Sequence, residues 1–118
     1  MLNARKRPCP DCPWRRDAPL GHFPPEAFER LADGSHDMSR RLFQCHDTAD
    51  DVPLVCAGFL ERGADHNLSV RIAYSMGDLE RTDRSGGCDM YEGFSEMAVA
   101  NGVDPDHPVL VPCRDNRR

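Results

Sequence analysis

A pair of cysteines near the start of the chain limits the fold more than any other feature of the sequence. The stretch PCPDCPWRR, residues 8–16, separates Cys9 and Cys12 by two residues, puts a proline after each, and continues into the chain's single tryptophan, Trp14. A tight turn of this kind brings two sulfur atoms close enough to bind one ion, and the prolines restrict the backbone to extended or turn conformations. One pair supplies half of a four-ligand site. The sequence therefore predicts that more distant cysteines or histidines complete it.

The length of the chain favours a fold that an ion stabilises. With 118 residues the chain fits one domain, and a domain of this size buries only about two thirds of its unfolded surface. Ten prolines and nine glycines predict short helices and much loop. No apolar stretch follows the basic start MLNARKRPCP, and none is long enough for a membrane helix. We therefore expect a cytoplasmic protein whose six cysteines are metal ligands or thiols rather than disulfides.

Three residues in the middle of the chain are the candidates for the second half of the site. Cys45 and His46 end the stretch RLFQCH, and Cys56 lies in DDVPLVCAGFLERG. Together with Cys9 and Cys12, the two cysteines make a set of four thiolates, whereas His46 in place of Cys45 makes a set of three thiolates and one imidazole. Adjacent side chains seldom bind one ion, so we take Cys45 as the ligand and His46 as a hydrogen-bonding neighbour of a sulfur, with the reverse assignment as the alternative.

Zinc is the expected metal. It is the usual ion for four Cys and His ligands in a small domain, and its binding contributes directly to the free energy of folding. A [4Fe–4S] cluster is the alternative, because Cys45 and Cys56 do not form a second close pair, although the spacing matches neither ferredoxin pattern. A chain without metal is the third interpretation. Cys88, in a glycine-rich loop, and Cys113, in the tail, are expected to be ordinary thiols outside the site.

Apolar periodicity and helix signals predict a mainly α fold: a small, irregular, metal-stapled domain of about four short helices with long loops and few or no strands. The helices are expected at residues 24–33, 53–63, 65–76 and 90–102, the third beginning at a cap on Asp65 or Asn67. In that third helix Leu68, Ile72 and Met76 recur every four residues and predict a buried stripe.

The domain organisation predicted from the sequence has three parts. Residues 1–7 are expected to form a flexible basic arm, residues 8–103 a single metal-binding domain, and residues 104–118 an extended tail. In that tail, residues 109–111 are expected to lie along the body as a strand. The prolines that punctuate the tail favour this extended form.

Charge is distributed unevenly along the chain. The net charge of −5 argues against a protein that coats nucleic acid, yet residues 1–41 carry a net +2 and the remainder a net −7. Trp14, Arg15 and Arg16 form a candidate partner-binding surface, because tryptophan and arginine are favoured at interaction hot spots. The alternatives are a packed Trp14 and solvated arginines. A protein is the expected partner, and the basic segment 5–7 is a candidate non-specific contact with nucleic-acid phosphates.

The ordered elements CPDCPWRRD, FPPEAFERL, LFQCH, VCAGFL, HNLSVRIA and MAVANGV resemble a family of small uncharacterised proteins, a domain of unknown function, of actinobacteria and their bacteriophages. The resemblance covers about residues 8–103. It implies no activity, but it implies a shared cysteine-rich core, and a bacteriophage origin would favour a role in regulation or in contacting host machinery. The members of that core are Cys9, Cys12, Cys45, His46 and Cys56.

A zinc-stapled interaction or regulatory module, contacting a host protein or nucleic acid, is the function that these features predict. We do not expect an enzyme, because no oxyanion or substrate element is recognisable. The alternatives are an iron–sulfur regulator that senses redox state and, less favoured, a metal- or thiol-dependent enzyme, which needs an open coordination position that four protein ligands do not leave. Sequence-specific DNA binding ranks below protein binding, because the third helix offers only Asn67 and Arg71 as base-reading side chains.

Overall fold

Short helices provide the regular structure in a computed structural model, which describes residues 3–45 and 54–113. Within these ranges extended pairing is limited to four isolated β-bridges. No helix in them is long and apolar enough to cross a bilayer. The prediction of about four short helices with few strands is confirmed. The elements in chain order are α1 (Pro25–Leu31), a 3-10 helix (Ala32–Ser35), α2 (Ala57–Arg62), α3 (Leu68–Ser75), α4 (Phe94–Ala100) and a second 3-10 helix (Pro108–Leu110).

Local signals in the sequence place α1 and α4 well. Pro25 opens α1, where no N–H is needed, and the chain continues beyond the α-helix as the first 3-10 helix to Ser35. The C-terminal end of α4 is followed by Gly102, whose φ of 104° is in the left-handed region that glycine adopts readily. Met90 and Tyr91, predicted to be helical, precede α4 because Gly93 keeps an extended backbone.

The start of α2 differs from the prediction. Its expected start at Pro53 lies outside the described residues, and Val55 is extended, with bridges to Ala4 and to Gln44 on its two sides. Cys56 is therefore the N-cap residue of α2 rather than a residue of its first turn. The same pairing involves residues 3–5, since the Val55 N–H donates to the Asn3 carbonyl at 2.9 Å. This part of the expected flexible arm lies along the body of the protein.

The buried side of α3 is not the predicted one. Val70 and Ala73 are buried, whereas Ile72 is 47% exposed and Met76 72% exposed, and Leu68 is only half-buried. The prediction that Leu68, Ile72 and Met76 form a buried stripe is wrong.

The N-cap of α3 explains this orientation. Asn67, one of the two predicted caps, is completely buried and accepts a hydrogen bond from the Val70 N–H at 3.1 Å. Its amide nitrogen donates to the carbonyls of Gly34 at 3.1 Å and Arg41 at 2.7 Å. These three bonds fix the first turn of a helix of eight residues. The fixed first turn sets the rotation of the helix about its axis, so that Val70 and Ala73 face the core.

The C-terminal segment is helical where a strand was predicted. Pro108 begins the second 3-10 helix, and the His107 ring nitrogen Nδ1 accepts a hydrogen bond from the Val109 N–H at 3.1 Å. Leu110 is buried by this turn. The extended conformation predicted for residues 109–111 is thus wrong, because a proline at the first position and a histidine cap favour a helical turn.

Trp14 lies at the centre of the core, with 0% exposure. Its ring packs edge-on against Phe43 at 5.8 Å and Phe94 at 5.9 Å between centroids. Gly58 and Gly63 leave room for it, since a Cβ at either position would lie within 2.5 Å of a Trp14 carbon. The side chain therefore presents no surface to a partner, which corrects the proposed role of Trp14 in binding and agrees with the packing alternative.

Candidate metal centre

Four buried thiols from three parts of the chain lie together in the core that contains Trp14. Cys9 and Cys12 are each 1% exposed, Cys45 is 5% exposed and Cys56 is 3% exposed. The sulfur atoms of Cys12 and Cys56 are 3.7 Å apart, and the thiol of Cys9 is hydrogen-bonded to that of Cys45. We refer to these four residues as the thiol cluster. The structure thus brings together the four cysteines that the sequence singled out.

The first pair is positioned by a proline-flanked turn. The Cys12 N–H donates to the Cys9 carbonyl at 3.0 Å, and the Arg15 N–H donates to the Cys12 carbonyl at 3.1 Å. Two successive turns therefore direct both side chains to the same side of the chain. The Arg15 guanidinium also reaches the Cys9 carbonyl, at 3.4 Å.

The second pair is positioned by the antiparallel bridge between Gln44 and Val55. The Cys45 N–H donates to the Leu54 carbonyl at 2.8 Å, and the Cys56 N–H donates to the Phe43 carbonyl at 2.9 Å. This register places the two cysteines on neighbouring extended segments. Cys56 then starts α2, so its sulfur lies at the N-terminal end of that helix.

Backbone N–H groups face the sulfur atoms. Hydrogen bonds from the Trp14 and Gly58 N–H groups lower the pKa of Cys12. A hydrogen bond from the Phe59 N–H group opposes the rise in the pKa of Cys56. Donors of this kind stabilise a thiolate, and they support the ligands of a metal site from the second coordination shell. The sequence analysis did not predict the role of the Gly58 and Phe59 N–H groups as donors to sulfur. The position of CAGF near the predicted start of a helix, where N–H groups are free to donate, was the signal for it.

The thiols influence one another's protonation. Burial raises the pKa of Cys9 to about 12, and the neighbouring Cys45 and Cys12 add to this effect. The hydrogen bond between Cys12 and Cys56 lowers the pKa of Cys12 and raises that of Cys56 well above its usual value, with burial as a further cause for Cys56. The Cys12–Cys56 pair therefore keeps one proton, carried by Cys56, when Cys12 has lost its own.

The separation of Cys12 and Cys56 fits a single tetrahedral ion. It is far longer than a disulfide bond of about 2.05 Å, and none of the six cysteines, all in the described part of the chain, is in a disulfide. Four sulfurs about 2.3 Å from one zinc ion lie about 3.8 Å from each other, close to the 3.7 Å found here. The cluster nevertheless stands as two pairs, and within residues 3–45 and 54–113 no three His, Cys, Asp or Glu side chains have the arrangement of an assembled metal site.

The other predicted site residues lie apart from the cluster or outside the described residues. His46, the alternative ligand, is among the latter. The Cys113 thiol donates to the Ala32 carbonyl at 3.5 Å, and Cys88 is half-buried in the glycine loop. Arg15 pairs with Asp17 at 2.8 Å, and Arg16 pairs with Glu96 at 2.6 Å. Their role in binding a partner stays a prediction.

The chain matches a protein-family model. A family described as a family of unknown function, DUF6283, matches residues 4–114. The chain belongs to this family. This agrees with the expectation, from the sequence, of a family without a known function. The matched range extends beyond the expected residues 8–103 at both ends. Neither the curated proteins nor the solved structures contain a match to this DUF6283 member.

Proposed function

We propose that this DUF6283 protein is a small zinc-binding interaction or regulatory module, in which Cys9, Cys12, Cys45 and Cys56 hold one ion. The observation that carries the proposal is the convergence of four buried thiols, two of them at a sulfur separation of 3.7 Å. With all four thiolates as ligands, such an ion would join the N-terminal turn to the start of α2 and would add to the free energy of folding.

The sulfur separation favours a single ion over an iron–sulfur cluster. In a [4Fe–4S] cluster each cysteine binds a different iron atom, which holds the four sulfurs farther apart than one ion does. The contact between Cys12 and Cys56 at 3.7 Å has the length of a tetrahedron edge around one ion. Among single ions, zinc is the usual partner of four thiolates.

A structural role suits this site better than a catalytic one. Four protein ligands fill a tetrahedral ion and leave no position for water or substrate. The thiols are also nearly inaccessible, with at most 5% exposure. We therefore propose that the metal shapes a surface for a partner, which we propose to be a host protein, with nucleic acid contacted through the N-terminal basic segment as the alternative.

Metal analysis of the purified protein, combined with one pair of variants, tests the proposal. We expect one zinc ion per chain in a colourless protein. Cys12→Ser should lose the ion and lower the melting temperature, because a tetrahedral site with three thiolates is weaker and the domain depends on it. Cys113→Ser is the matched control, since it changes a thiol outside the cluster, and it should keep both zinc and the melting temperature.

Three results would reject the zinc site. The first is a brown protein that contains iron and sulfide. The second is a Cys12→Ser variant with normal zinc content and normal melting. The third is a loss of zinc in Cys113→Ser equal to that in Cys12→Ser, which would locate the metal elsewhere.

A further inference from the structure

An apolar strip covers the outward side of α3. Ile72 is 47% exposed and Met76 72% exposed, and Leu68 is half-buried one turn earlier. A spacing of four residues aligns these side chains along one side of the helix. Met38, 56% exposed, adjoins its start, because the Met38 N–H donates to the His66 carbonyl at 2.9 Å. We call Leu68, Ile72 and Met76 the α3 strip.

Two exposed arginines border the α3 strip. Arg71 precedes Ile72 on the helix, and Arg40 lies beside Ser69, whose hydroxyl donates to the Arg40 carbonyl at 2.9 Å. In the described part of the chain neither guanidinium takes part in an ion pair. The strip thus combines apolar contact area with two exposed cations that stand outside the ion pairs of the described residues.

The carboxylates near the strip have contacts of their own or line clefts beside it. The Asp37 Oδ1 atom lies 3.7 Å from His66 Nδ1, and Asp78 lines a separate cleft with Leu79. Arg71 also borders a cleft that contains Glu61 and Asp83, among other acidic residues. The Glu61 carboxylate accepts a hydrogen bond from the Arg84 N–H at 2.6 Å, and that of Asp83 accepts one from the Ser85 N–H at 2.9 Å.

We propose that the α3 strip is the docking surface for an amphipathic helix of another protein, whose apolar side covers the strip and whose carboxylates pair with Arg71 and Arg40. The strip has the spacing that helix-in-groove recognition uses, with anchors one turn apart. The inference rests on the proposed interaction role and names the chemistry of the partner. Charge complementarity determines the chemistry of the partner, because a helix with acidic flanks would supply an ion-pair partner to both arginines.

A second copy of this chain fits the strip less well. In a two-fold antiparallel pairing centred on Ile72, Leu68 meets Met76, but the two Arg71 side chains come to face each other on the same flank. Like charges that face each other across an interface cost several kcal/mol.

A membrane surface also fits less well. Membrane-lying helices combine a long apolar side with several Lys or Arg residues, and anionic lipid attracts clusters of such cations. The strip has two arginines beside it, whereas lipid-binding clusters carry about four to eight Lys or Arg residues.

Peptide binding to the full, zinc-loaded protein tests the docking surface. The probe is a synthetic helical peptide of about 18 residues with leucines on one side and glutamates on the flanks, followed by fluorescence anisotropy. A matched peptide carries lysine in place of each glutamate. We expect the glutamate peptide to bind the natural chain, and to bind Ile72→Glu and Arg71→Glu at least about tenfold more weakly. Arg71→Glu should also shift the preference toward the lysine peptide.

Val111→Glu is the matched control, because Val111 is another exposed apolar residue, 81% exposed, outside α3. It should bind the glutamate peptide as the natural chain does. The proposal is overturned by absent binding, by equal binding of both peptides, or by Ile72→Glu and Val111→Glu that bind equally well. Sedimentation with anionic vesicles that Ile72→Glu abolishes would assign the strip to a membrane, and a dimer that Ile72→Glu dissociates would assign it to a second copy. Zinc content is measured in every variant, so loss of docking with zinc retained is distinguished from failure of the metal site.

Discussion

Gly58 lies directly against Trp14: a Cβ atom on residue 58 would be 2.5 Å from the Trp14 Cβ and 2.6 Å from its Cγ. These atoms belong to the base of the tryptophan side chain, which cannot move without the backbone. Phe43 and Phe94 pack on the same ring and block its retreat. A glycine in α2 is therefore required by its neighbour in the core and not by its own backbone.

Gly58→Ala should destabilise the protein by about 1 to 3 kcal/mol, because overpacking outweighs the gain of about 1 kcal/mol in helix propensity. Denaturant unfolding measures the difference. Ser75→Ala, at the exposed end of α3, is the control and should change the free energy of unfolding by less than about 0.5 kcal/mol. A Gly58→Ala protein more stable than the natural chain would contradict the packing of Trp14 described here.

Asn67→Ala should cost about 2 to 4 kcal/mol, because it removes the cap of α3 and leaves the carbonyls of Gly34 and Arg41 without their donor. Asn67→Asp separates the two effects, since it keeps the cap acceptor but loses both donors and brings a negative charge next to two carbonyls. We expect it to be at least as destabilising as Asn67→Ala in thermal and urea unfolding. If Asn67→Asp were as stable as the natural chain, the cap alone would explain the role of Asn67.

Arg84 is a buried cation, 7% exposed, that donates to the carbonyls of Arg5 at 3.0 Å and Glu80 at 2.8 Å. Arg84→Met should reduce the free energy of unfolding by about 2 kcal/mol, because both carbonyls lose a charged donor. Arg81→Met is the matched control: its guanidinium lies 4.2 Å from the centre of the Tyr74 ring but is exposed, and such a contact is worth about 0.5 to 1 kcal/mol. Equal losses in urea unfolding would show that burial of Arg84 contributes nothing.

Zinc affinity should fall steeply as the pH is lowered. Cys9 has its pKa raised to about 12 and Cys56 has its pKa raised as well, so zinc displaces at least two protons near neutral pH. Each proton released changes the apparent affinity about tenfold per pH unit, which predicts a fall of at least about 100-fold between pH 7.5 and 6.5. Competition with a chromophoric chelator measures this slope. An affinity independent of pH would mean that the ligands are not these thiols.

The metal-free protein should respond to pH in the opposite direction. A thiol whose pKa rises from 9.0 to about 12 on folding, as for Cys9, binds its proton more tightly in the folded state. Its contribution to stability is therefore fully present below pH 9 and is lost as the pH rises toward 12. Unfolding of the chelator-treated protein at pH 8 and pH 10 tests this, with lower stability expected at pH 10. Cys56, with its raised pKa, acts in the same direction as Cys9, and Cys12, with its lowered pKa, acts against them. An increase in stability with pH over this interval would contradict the expected dominance of Cys9 and Cys56.

Local features were predictable from the sequence, and features set by distant contacts were not. The turn from Cys9 to Cys12 and the cap at Asn67 depend on neighbouring residues. The turn was predicted, and the cap was predicted as one of two candidates with Asp65. The buried side of α3 depends on the Asn67 amide reaching Gly34, far away in the chain. Helix periodicity therefore pointed to the wrong side.

The candidate site follows the same division. The spacing of Cys9 and Cys12 and the apolar neighbours of Cys45 and Cys56 pointed to the thiol cluster. The approach of these residues depends on the pairing of Val55 with two separate segments. Trp14 was assigned to a contact surface because of its residue type, whereas Gly58 and Gly63 make the space that buries it. The sulfur separation of 3.7 Å favours a single ion over a cluster, but the choice among single ions follows from the chemistry of thiolate ligands alone. Zinc therefore stays a prediction.

The position of Val55 between Ala4 and Gln44 bears on how the chain reaches its native state. Residues near the first turn must pair with a segment in the middle of the chain before the four sulfur atoms can come together. Closing such long loops is slow, because conformational entropy is lost before the stabilising contacts form. Refolding should therefore be limited by this search rather than by helix formation. Added zinc should stabilise the folded protein without increasing the rate of the slow refolding phase.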